Sequence, residues 1–101
     1  MESLNVKVEN MVSPTSGNEV PNQFIVTVGN KRYFQSYSTM IAMIETDSKG
    51  LDQVYLDCNC WNNSNTTNKY RNKFLGGIAS KKVKERIEQG RYILMDLNKD
   101  N

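Results

Sequence analysis

The chain is 101 residues long, with 38% hydrophobic and 24% charged residues and a formal net charge of +2, enough for one domain with one modest core. No window approaches the roughly 20 apolar residues of a membrane-spanning helix, and the first ten residues lack the basic start and apolar core of a signal peptide, so a cytoplasmic protein is expected. The chain contains no histidine, which excludes Ser-His-Asp and Cys-His catalysis within one chain.

Residues 3–9 alternate, with Leu4, Val6 and Val8 on one side, and predict a half-buried strand. Residues 13–22 hold both prolines and a glycine and predict a loop, with mobility expected over 10–22. Gly29-Asn30 then separates two β-rich runs and predicts a two-residue hairpin of the type that wants glycine first. That register sets Val28 opposite Lys31, Val26 opposite Tyr33 and Ile25 opposite Phe34. Both faces carry apolar pairs, so the hairpin should be central or covered on one side.

The run at 38–45 fits a buried strand or a helix. Strand is favoured, because 46–50 is a turn and 53–58 is plainly another strand. Met40 and Met43 read as core filler. Cys58 and Cys60 share a strand face in a C-N-C run, where adjacent geometry rarely suits a disulfide; without histidine they cannot complete a zinc site alone. Glu45, Asp47, Asp52 and Asp57 flank a hairpin as solvated strand-end charges, and no phosphate-cradling loop follows Gly76-Gly77. No catalytic residue, metal or cofactor is expected.

The second half changes character. Ser64 or Thr66 can start a helix that Gly76 stops, and a second helix starts at Ser80 and ends at Gly90. Residues 91–97 return as a last strand. The expected fold is one α+β domain over 1–101, ordered β-β-β-β-β-α-α-β: a mainly antiparallel β-meander with two short helices packed on one face and a C-terminal strand.

Charge is segregated along this order. Residues 1–68 hold four basic and seven acidic side chains, whereas residues 69–91 hold eight basic and two acidic ones. Lys81–Glu85 and Lys84–Glu88 are opposite charges one helical turn apart and explain themselves as a solvated face. Lys69–Lys73 and Lys82–Arg86 are like-charge pairs with no acid expected beside them, which cost roughly 0.2–0.5 kcal/mol each rather than stabilising the helix. Solubility or recognition of an anionic surface accounts for them. Tyr70 and Phe74 share the apolar stripe with Thr67 and read as core rather than as stacking platforms. Trp61, at the strand-to-helix junction, is either an interface anchor or a hydrophobic staple.

The runs Y-F-Q-S-Y-S-T-M-I-A (33–42) and V-Y-L-D (54–57), then Trp61, then S-N-T-T-N-K-Y-R-N-K-F-L-G (64–76), together resemble a family of small proteins carried by phages and mobile elements of Gram-positive bacteria. The family has no settled activity, so no residue inherits a role. What the resemblance implies is a setting, the cytoplasm of a bacterial host cell. Proteins of that size and origin often bind and block a host machine. The expected function is therefore stoichiometric inhibition of a host defence nuclease or ribonucleoprotein, above all a CRISPR–Cas effector of the Cas9 type. The expected contacts are Trp61, Lys69, Arg71, Lys73, Lys82 and Arg86. Two alternatives stand beside it: a sequence-tolerant nucleic-acid-binding module using the basic helices on RNA or DNA, and a structural or regulatory homo-oligomer joined through an edge strand at 3–9 or 91–97.

Overall fold

The computed structural model describes residues 5–99. Six strands form one sheet in chain order: β1 (Val6–Val12), β2 (Glu19–Val28), β3 (Lys31–Ser36), β4 (Thr39–Thr46), β5 (Asp52–Asp57) and β6 (Tyr92–Met95). The first five are antiparallel neighbours, and β6 runs parallel to β5. A parallel partner needs a crossover, which the two helices supply: α1 (Asn65–Phe74) and α2 (Ser80–Glu88). This is the expected α+β architecture.

The hairpin at Gly29-Asn30 has the expected register, with Val28, Val26 and Ile25 paired to Lys31, Tyr33 and Phe34. Gly29 takes a φ of 59°, a left-handed conformation that glycine adopts at little cost. The loop expected at 13–22 is shorter. β2 begins at Glu19, and only the segment between Val12 and Glu19 is a turn. Pro21 is accommodated because the β1–β2 pairing slips between Asn10 and Val12, leaving an irregular stretch where Asn22 has a φ of 66°. Asn10 ties that stretch down by donating to the Met11 and Val20 carbonyls. The expected strand at 3–9 begins at Val6, its first residues lying outside those described, and it is not half-buried: Val6 and Val8 are 60% and 61% exposed.

Alternation of side chains along the strands gives the sheet two faces. Phe34, Ala42, Ile44, Leu56 and Tyr92 point to the face the helices cover, with Ile41 filling the β-bulge of β4. α1 packs on β2 and β3, and α2 against β6. The helices contribute Tyr70, Phe74 and Val83 to this core, and Phe74 stacks on Phe34 with ring centroids 6.0 Å apart. Tyr70 and Phe74 are thus core residues, as their spacing predicts.

Candidate functional site

α1 is built from its cap inward. Ser64 Oγ accepts the Thr67 backbone N–H at 3.2 Å, satisfying one of the donors a helix start leaves free. Thr67 Oγ1 then meets Ser36 Oγ of β3 at 3.1 Å, which docks the helix onto the sheet. Thr67, Tyr70, Arg71 and Phe74 form the buried stripe. The opposite face presents Asn65, Lys69 and Lys73 to solvent.

Arg71 departs from its expected role as a contact. It is 1% exposed. Its guanidinium lies over the Trp61 ring, 5.7 Å from the centroid, and donates to the Trp61 carbonyl, Asn68 Oδ1, Asn72 Oδ1 and Ser80 Oγ. Burial pulls its pKa down. Trp61 is half-buried beneath this group and packs against the core, so both residues fasten the β5–α1 junction to the start of α2.

The other four expected contacts separate into two pairs. Lys82 is 3.4 Å from Glu85, and Arg86 lies over the Tyr92 ring while donating to its hydroxyl at 2.9 Å. The like-charge reading of Lys82–Arg86 is therefore corrected: an acid lies one turn away from the first, and an aromatic neighbour takes the second. Lys69 and Lys73 have no carboxylate partner among the described residues. Lys73 Nζ donates to the Val12 carbonyl at 2.6 Å, which leaves two of its three N–H groups free. Lys69 leans over Tyr70, 5.5 Å from the ring centroid.

These two lysines flank an open cleft of about 530 Å³ between α1, the start of α2 and the β1–β2 turn. Asn65, Asn68, Asn72 and Ser80 contribute amides and a hydroxyl, while Tyr70 and Ile78 contribute apolar surface. Lys82 and Arg86 do not line it. Asn68 and Asn72 are held in place by Arg71, so the buried charge also orients the cleft wall. Sequence reasoning missed the asparagines. Their signal is the recurrence of Asn65, Asn68, Lys69, Asn72 and Lys73 at helical spacing, a wholly polar stripe.

Residues 6–90 match a family described only as a family of unknown function (DUF8033). The chain belongs to this family. Comparison with curated proteins and with solved structures finds no match. The DUF8033 segment contains the cleft entire and ends before β6.

Elsewhere Gln23 is 2% exposed and its side-chain oxygen has no hydrogen-bond partner among the described residues, and Asp57, expected as a solvated strand-end charge, is instead buried. Cys58 and Cys60 carry free thiols, with the Cys60 thiol pushed up by burial and by neighbouring Asp57. No group of three or more cysteine, aspartate or glutamate side chains among the described residues is placed to hold a metal. No helix among them is long and apolar enough to cross a membrane.

Proposed function

We propose that this protein is a non-catalytic binding protein that receives an anionic segment of its partner in the α1 cleft. The observation that carries the reading is the Lys69–Lys73 pair. Two like charges one turn apart cost the helix a few tenths of a kcal/mol, and no acid among the described residues compensates them. A phosphate or carboxylate in the cleft would meet two ammonium groups and the Asn65 amide at once.

The partner we propose is a host defence nuclease or ribonucleoprotein, most directly a CRISPR–Cas effector of the Cas9 type, held in a stoichiometric complex. That part rests on the resemblance to proteins of phages and mobile elements, and on a basic helical lobe able to engage guide RNA or an acidic protein face. The test is a tagged pull-down from a Gram-positive lysate expressing Cas9 with guide RNA, with and without nuclease treatment, using wild type and Lys69→Glu/Lys73→Glu. Recovery of the effector after digestion, weakened at least about tenfold in the variant, supports the proposal.

A sequence-tolerant nucleic-acid-binding module is the second reading, favoured by a cleft whose charged groups are all donors. It takes over if nucleic acid is recovered, every protein partner vanishes on digestion, and affinity falls steeply with salt. Full retention of partner affinity in the double variant would remove the cleft from either reading.

A further inference from the structure

The second face of the sheet carries no helix. The strand registers align Val8, Val26, Tyr33, Met43, Tyr55 and Ile93 in a single row that crosses all six strands. Phe24, Val28, Met40 and Met95 flank the row on the same face. An antiparallel sheet face that ends in water alternates polar side chains outward. Here the central row is apolar from edge to edge, with Val8 61% and Ile93 41% exposed at its two ends and Met43 6% exposed at its middle. The polar side chains Asn10, Gln35, Lys31, Glu45 and Gln53 are confined to the two flanking rows. No element among the described residues covers it.

We propose that this face docks a second copy of the chain, giving a two-fold dimer with the sheets packed face to face. The charges on the face argue for that occupant. Asp57, at the end of β5, is buried among four donors. Otherwise its charged strand residues are Lys31 and Glu45, paired across β3 and β4 at 4.0 Å. One cation beside one anion offers little to a strongly charged partner, whereas it is self-complementary under a two-fold axis.

The pair also straddles the middle of the sheet, because a six-stranded order puts the centre between β3 and β4. An axis lying there along the strands exchanges β3 with β4, β2 with β5 and β1 with β6. Lys31 of each copy then meets Glu45 of the other. In the main row Tyr33 meets Met43, Val26 meets Tyr55, and Val8 meets Ile93, so the exposed edge residues cover each other. Six strands at about 4.8 Å spacing and three rows of side chains make a face on the order of 500 Å². Two such faces bury on the order of 1,000 Å², the lower bound for a specific interface, so the dimer should dissociate on dilution.

Sedimentation equilibrium over a concentration series tests this independently of the α1 cleft. The expected mass rises from 11.6 kDa towards twice that value. Lys31→Glu sets like charges against each other across the axis and should weaken the dimer about a hundredfold. Lys31→Glu/Glu45→Lys restores complementarity and should restore the dimer. Val8→Lys/Ile93→Lys alters only exposed side chains and should also give monomers, with circular dichroism reporting an intact fold for each variant. A mass of 11.6 kDa at every concentration up to about 1 mM would overturn the proposal. So would a dimer that survives both Lys31→Glu and Val8→Lys/Ile93→Lys, which would point to pairing at a sheet edge instead.

Discussion

Arg71 shares a helix with Lys69 and Lys73 yet has the opposite fate. It follows Thr67 by four residues and precedes Phe74 by three, so helical geometry turns it inward with them. Its charge is buried without a carboxylate, which is tolerable because four oxygen acceptors from three segments surround a planar fork. A lysine there would keep the charge but could not reach those acceptors together. Arg71→Lys is therefore expected to lower stability by about 2 kcal/mol, as a drop in urea midpoint with the slope unchanged. Trp61 fluorescence should shift to the red as the junction loosens. Lys69→Ala, on the exposed face, should stay within about 0.5 kcal/mol of wild type. Equal stability for Arg71→Lys and wild type would mean that the network contributes nothing that a point charge cannot supply.

At the scale of elements, the two helices differ in how they begin. α1 has the Ser64 side-chain cap, and Ser64→Ala should cost about 1 kcal/mol. α2 starts from Ala79, whose ψ of 155° is the extended conformation a capping residue needs but whose side chain caps nothing. Ser80, which reads as the start signal, sits one position inside, and its hydroxyl oxygen accepts from the Arg71 guanidinium and the Asn72 amide. Ala79→Asp is thus expected to add about 0.5–1 kcal/mol, read as a rise in urea midpoint, since it supplies both the missing acceptor and a negative charge at the helix start. The same contrast explains what the sequence discloses. Gly29-Asn30 and its flanking alternation carry the β2–β3 register, because turn chemistry and pairing are both local there. Pro21 conceals the first part of β2, because a breaker in sequence can sit in an irregular stretch in space. That Lys69 and Lys73 have no carboxylate partner among the described residues was legible from spacing alone. The partners of Lys82 and Arg86 were not, since Tyr92 approaches Arg86 only through the crossover, and Lys82 pairs with Glu85 one residue short of the spacing that drew attention.

At the scale of the whole molecule, one carboxylate joins the end of the meander to the returning tail. Asp57 closes β5, with Oδ2 accepting the Asn59 and Cys60 N–H groups of the following turn. Its Oδ1 accepts the Leu97 N–H and the Asn98 amide beyond β6. Asn98 in turn clamps Met40, donating to its carbonyl and accepting its N–H. The tail is thereby fastened to β4 and β5 past the end of the parallel β5–β6 pairing. Burial by itself would raise the Asp57 pKa, but the bonds from Leu97, Asn59, Cys60 and Asn98 outweigh it and hold the carboxyl below its ordinary value of 3.8. A depressed folded-state pKa contributes stability that is present above the unfolded value and is lost as pH falls through the folded one. Asp57→Asn turns an amide N–H₂ towards at least one pair of these donors, and should cost about 2–4 kcal/mol at neutral pH. Urea titrations of both proteins should show that difference constant down to about pH 5 and shrinking below 3.8, as the wild-type carboxylate protonates. Asn98→Ala removes one donor and the Met40 clamp but leaves the charge with three N–H partners. It should cost about 1–2 kcal/mol and keep the acid dependence of wild type. If Asp57→Asn instead tracked wild type in parallel through the acid range, the carboxylate would not be the source of that dependence, and the tail would be held by strand pairing and Tyr92 burial alone.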